Sequence, residues 1–165
     1  MAMPPQKFRE IVFQLLYAQD IGRGKEEELI QLISSELAVS KIVVREALKR
    51  AVDILSKLPE IDPLIAKASF TYEFERIRTV ERNILRMGAF ELLYDDEIPA
   101  KIAITEAIRL ARKFATPESA NFVNAILDNI YKEKLGVAID KGQLSDAIDN
   151  LTKSEETTKN MLENE

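Results

Sequence analysis

Apolar residues return every three or four positions along almost the whole chain, and no segment alternates apolar and polar residues between hairpin turns. That spacing lines side chains along one stripe of a helix, whereas a half-buried strand needs period two. The fold class it predicts is all-α. Phe8, Ile11, Val12, Leu15 and Leu16 share a face over residues 6–20, and Gly22-Arg23-Gly24 is a stop signal. Leu29, Leu32, Ile33 and Leu37 mark a second helix. Val44, Leu48, Val52 and Leu55 mark a third that ends before Pro59, and the three together make a first subdomain.

Asp62-Pro63 reads as an N-cap followed by proline at the first helical position, which opens a fourth helix through Leu64, Ile65 and Ala68. Thr79 can cap a fifth. Its residues Val80, Ile84, Leu85, Met87, Leu92 and Leu93 leave the polar groups mainly to Glu81, Arg82, Asn83 and Arg86, so this helix should sit centrally. Gly88 in its middle costs stability relative to alanine, and close approach of another helix is the compensation it predicts. Pro99 opens a sixth helix, and Thr116-Pro117 caps a seventh with Val123, Ile126, Leu127 and Ile130 inward. After Lys134 the composition turns polar, with only Leu144, Ile148 and Leu151 at amphipathic spacing. Residues 1–134 are therefore expected to form the folded domain, and residues 135–165 an acidic, mobile tail with at most a short helix.

The chain has neither cysteine nor histidine. That removes disulfides, thiolate metal sites, Cys-His and Ser-His-Asp nucleophiles, and the commonest general base. The acids follow no calcium-loop spacing, and the five glycines form neither a phosphate loop nor a dinucleotide-binding loop. No enzyme activity, metal or cofactor is expected. The start, Met1-Ala2-Met3-Pro4-Pro5-Gln6, does not read as a signal peptide, and no apolar run approaches the roughly 18 residues a membrane span needs. The cytoplasm is the expected compartment, with no membrane partner.

Recognition remains. The net charge of -5 argues at first sight against nucleic acid, but seven acids against three lysines from Leu135 to Glu165 carry -4 of it and leave the body near neutral, at -1. A near-neutral body can carry a basic face. On the sixth helix Lys101, Arg109, Arg112 and Lys113 gather toward one side, with Phe114 at its end and Glu118, Ser119 and Asn121 in the first turn of the next helix. Cations beside an aromatic ring and short polar groups suit single-stranded RNA; a solvated helix face over a core phenylalanine has the same pattern. Phe13 and Tyr17 stand at i, i+4 on the first helix, either widening its buried stripe or forming a partner patch with Glu75 and Glu81.

The segment Arg82-Asn83-Ile84-Leu85-Arg86-Met87-Gly88-Ala89-Phe90-Glu91-Leu92-Leu93 resembles the central signature of the NusB transcription antitermination factor family. Ile98-Pro99, Ile104-Thr105-Glu106-Ala107, Ala111-Arg112-Lys113-Phe114 and the run from Ser119 to Asp128, which includes Phe122-Val123-Asn124, agree with it in order and spacing. Arg9-Glu10 and Leu16-Tyr17 are similar to the family's first helix. The resemblance implies two small helical bundles, about seven helices, packed into one compact unit without catalytic activity. It implies binding of boxA-type single-stranded RNA together with NusE, a small-subunit ribosomal protein, and indirect association with RNA polymerase and other Nus factors during transcription of ribosomal RNA operons. The RNA surface it implies comprises Lys7, Arg9, Lys113, Phe114, Glu118, Asn121 and Phe122, and the NusE surface Tyr17, Glu75 and Glu81. The sequence departs from the family at Asn121, at Ala125 and in having few cations near its start. The same fold as a protein-interaction module or homodimer with little RNA affinity is the alternative.

Overall fold

The computed structural model of the chain describes residues 3–22, 24–139 and 141–164. Within them it is helical throughout, in two units, Met1–Glu60 and Ile61–Glu165.

The first unit contains α1 (Pro5–Asp20), α2 (Glu26–Leu37) and α3 (Lys41–Ser56). Helices α1 and α2 both pack on α3. Ile11, Leu15 and Leu16 of α1, Ile30 and Ile33 of α2, and Val44, Ala47, Ala51 and Ile54 of α3 form its buried core. Proline at the start of α1 gives up only an N–H that the helix would leave unbonded. Ser40 caps α3 by accepting the Val43 N–H at 3.3 Å. Glu26, Glu27 and Glu28 fill the first turn of α2, the end of a helix that favours negative charge.

Helix α4 spans Leu58–Ala68 and starts earlier than Asp62-Pro63 predicts, with Pro63 in its interior. Pro59 already occupies the first turn, where no N–H is needed. Pro63 then forfeits a single bond, the one its N–H would have made to the carbonyl of residue 59. Asp62, freed from capping, accepts both arms of the Arg86 guanidinium, Nε at 2.9 Å and Nη2 at 2.8 Å.

The second unit is built around α5 (Thr79–Tyr94), whose residues from Asn83 to Leu92 are all buried. Helices α6 (Ala100–Phe114) and α7 (Pro117–Leu135) both pack on it and on each other. The close approach predicted at Gly88 is present twice over. A Cβ there would lie 2.7 Å from Leu127 Cδ1 on α7 and 3.5 Å from Ala107 Cβ on α6. Thr116 caps α7 by accepting the Ser119 N–H at 3.0 Å, and Gly136, at φ 72°, ends it. At that end Lys134 Nζ donates to the Leu92 carbonyl at 2.8 Å, placing a cation at the negative end of α5.

The expected short helix in a mobile tail is instead α8, the 23-residue helix Lys141–Glu163, so the described residues contain eight α-helices rather than seven. Leu144, Ala147 and Leu151 are buried in its contact with α7. One turn further on, the anchor is polar. Glu155 accepts the Tyr72 hydroxyl at 3.2 Å and lies 3.6 Å from Arg78 and 4.0 Å from Arg76. Apolar periodicity ends at Leu151 and cannot register an anchor of this kind. No helix among the described residues is long and apolar enough to cross a membrane.

Candidate nucleic-acid and partner interface

The α6–α7 junction brings together four of the expected RNA residues. Lys113 is exposed at the end of α6, its ammonium 5.7 Å from the ring centre of half-buried Phe114. After two intervening residues α7 begins, with Glu118 half-buried and Asn121 exposed on its first turns. Thr116 holds this corner by three contacts: its Oγ1 accepts the Ser119 N–H, its hydroxyl bonds Ser119 Oγ at 3.0 Å, and its carbonyl accepts the Ala120 N–H at 3.0 Å. Lys101 and Arg112 are exposed on α6, whereas Arg109 is held by Glu106 at 2.8 Å.

Two of the expected contact residues lie inside. Phe122 is completely buried, its ring 5.0 Å from that of Tyr72, so it supports the site from below and presents no face to a base. Glu81 is 3% exposed, and its Oε1 accepts the Ser119 hydroxyl at 2.6 Å while Oε2 has no partner in the described structure. The carboxylate thus faces the first turn of α7, where the helix field favours an anion. Its expected surface position is corrected: it ties α5 to the corner that carries Glu118 and Asn121.

Lys7, Arg9 and Tyr17 belong to the first unit. All three are half-buried, so Lys7 and Arg9 are less open than expected from their nearness to the chain start. Tyr17 lies 6.2 Å from Phe13, which is itself buried in the core. Glu75 is exposed on a single 3-10 turn, Phe74–Arg76, between α4 and α5. That segment is stiffened by Tyr72, buried between the Arg76 guanidinium, 4.6 Å from its ring centre, and Phe122. The Tyr72 hydroxyl has a raised pKa, first because of burial and then because the Glu155 carboxylate disfavours a second negative charge.

Sequence reasoning missed the residues that α8 contributes beside this corner. An open groove of about 570 Å³ lies between the start of α7 and the second half of α8, with Glu118 and Asn121 on one wall and Asn150, Lys153 and Thr157 on the other. The i, i+3, i+7 spacing of those three polar residues places them on one helix face. Without an apolar residue to continue the pattern past Leu151, nothing marked that face as structured. Among the described residues no group of three or more acids could hold a metal ion.

Fold and corner together define an all-helical protein with exposed cationic and polar side chains gathered at the α6–α7 junction. Residues 6–132 match the NusB family, and the chain belongs to it. It is 41% identical over 130 residues to the transcription antitermination protein NusB of Chlamydia pneumoniae, a match spanning 79% of this chain and 81% of that protein. NusB of Fervidobacterium nodosum is 34% identical over 126 residues, 76% of this chain and 88% of that one. Among solved structures, T. maritima NusB superposes with a TM-score of 0.68 at 31% identity, covering 88% of this chain and 99% of the other. A NusB chain crystallised with NusE and double-stranded RNA does so with a TM-score of 0.66 at 28% identity, over 78% and 96% of the two chains.

Proposed function

We propose that this chain is an RNA-binding transcription antitermination factor, which takes boxA-type single-stranded RNA together with NusE and promotes processive transcription of ribosomal RNA operons. The observation that carries the reading is the α6–α7 corner, where exposed Lys113 and Asn121 flank half-buried Phe114 and Glu118 on a capped, rigid turn. Cation, ring and short polar groups supply the phosphate, stacking and base-edge contacts a single strand needs. The structural likeness to a NusB solved with NusE and RNA supports the same partners. Lys7 and Arg9 add phosphate contacts in this reading, and Tyr17 and Glu75 belong to the NusE surface.

The test is an electrophoretic shift with a boxA-type RNA and a scrambled one, with and without NusE, at two salt concentrations. Binding should be weak alone, tighter with NusE, and steeply salt-dependent. Equal affinity for the scrambled RNA, or no gain from NusE, counts against the reading. Replacing Lys7 and Arg9 together by glutamate should weaken RNA binding while the helical circular dichroism is retained.

A further inference from the structure

We propose that α8 adds a nucleotide subsite to the RNA surface, the groove between the first turns of α7 and the second half of α8. This rests on the RNA-binding reading above and extends it to a helix outside the family match, which ends at residue 132.

The groove, at about 570 Å³, lies within the range of roughly 300–1,000 Å³ typical of sites for small organic groups. Its lining selects the ligand class. Asn121 and Asn150 each offer an amide donor and acceptor side by side, the pattern that pairs with a base edge. Glu118 offers acceptors for an exocyclic amino group or a ribose hydroxyl. Lys153 makes no ion pair among the described residues and can meet a phosphate. Thr157 commits its hydroxyl hydrogen to the Lys153 carbonyl at 2.9 Å and so faces the groove as an acceptor. A protein segment would want large apolar side chains as anchors, and of the lining residues Pro117 and Met161 are the apolar ones.

The wall is held in position. Leu144, Ala147 and Leu151 bury one stripe of α8, and Glu155, on the turn that follows Asn150 and Lys153, is fastened by Tyr72, Arg76 and Arg78. The groove also borders the α6–α7 corner, because Pro117 and Glu118 in its lining stand three and four residues after Phe114 along the chain. A strand stacked at Phe114 leaves the corner toward this groove, whose lining residues are mostly polar side chains.

The experiment uses the full chain and fluorescence anisotropy with three RNAs: the boxA-type core, and the core lengthened by a few nucleotides at either end. The wild type should bind one lengthened RNA about fivefold more tightly than the core, the worth of roughly one net hydrogen bond. Asn150→Ala and Lys153→Glu should each abolish that advantage while leaving core affinity unchanged. Lys153→Glu should also lower the salt slope on the lengthened RNA by about 0.7, the value of one single-strand phosphate contact. Lys159→Glu makes the same charge change off the groove, at a residue 4.0 Å from Glu163, and should keep the advantage. The proposal is overturned if both lengthened RNAs bind like the core, if the advantage survives both groove substitutions, or if those substitutions weaken NusE binding instead. No binding of any RNA by the wild type removes the functional reading, and this subsite with it.

Discussion

Glu81→Lys tests the second unit most sharply, because the residue was expected at a partner surface and lies 3% exposed. Its carboxylate accepts the Ser119 hydroxyl at 2.6 Å, a bond to a charged group worth about 1.5–3 kcal/mol. Lysine loses that bond and sets a cation against the positive end of α7, adding up to about 2 kcal/mol of repulsion in a partly buried geometry. The sum is a loss of about 1.5–5 kcal/mol, its upper part matching what is seen when a buried charge loses its partner. Glu81→Gln keeps the shape and an acceptor oxygen, and should cost about 1 kcal/mol. Urea unfolding of both variants measures the difference. Partner titration must then use the glutamine variant, since weakened NusE binding by the lysine variant would reflect a disturbed α5–α7 corner. Stability of Glu81→Lys within about 0.5 kcal/mol of wild type, the usual result at an exposed position, would refute the burial and the reasoning built on it.

Gly88→Val should destabilise by about 2 kcal/mol or more, because even a Cβ at this position meets Leu127 at 2.7 Å; a double-mutant cycle with Leu127→Ala should show favourable coupling, and simple additivity would contradict the close contact. Leu151→Ala should cost about 2–3 kcal/mol by unfolding titration, since the side chain is 5% exposed in the α7–α8 contact; a negligible loss would return residues 135–165 to the expected mobile tail. Tyr72 carries a phenol raised above its ordinary 10.0, so the folded chain holds this proton longer than the unfolded one. Its contribution is complete below the unfolded value and is lost as pH rises through the folded value. Tyr72→Phe should flatten that alkaline loss of stability, and Glu155→Gln should bring the phenol part of the way down by phenolate absorbance; an unchanged titration in Glu155→Gln would remove the carboxylate as a cause.

The helices were legible wherever apolar spacing and punctuation agreed. Gly88 was read correctly because a glycine inside a strong helix has few explanations, and the structure supplies Leu127 and Ala107 as the reason. Helix α4 was misplaced because Asp62-Pro63 is a good start signal locally, while the competing claim on Asp62 comes from Arg86, 24 residues away. Glu81 has the same history, its burial depending on Ser119, 38 residues along the chain. Phe122 was legible in principle. It stands four residues before the inward Ile126, a spacing compatible with the core, whereas the family resemblance alone placed it at the RNA surface. The length of α8 was not legible, since its last anchor is a carboxylate held by a tyrosine and two arginines rather than an apolar side chain.

The bond between Tyr72 and Glu155 also sets an order of events during synthesis. The two residues are separated by 83 positions, so at about 5–20 residues per second the ribosome needs roughly 4–17 s to make the second after the first. Helices α5, α6 and α7 pack on one another through residues that all precede Gly136, and can do so while α8 is still untranslated. Until translation reaches Glu155, Tyr72 lacks that acceptor and the groove beside Asn121 lacks its second wall. The nascent protein thus carries its α6–α7 corner before α8 exists, and the groove gains its far wall only once that later helix has been made.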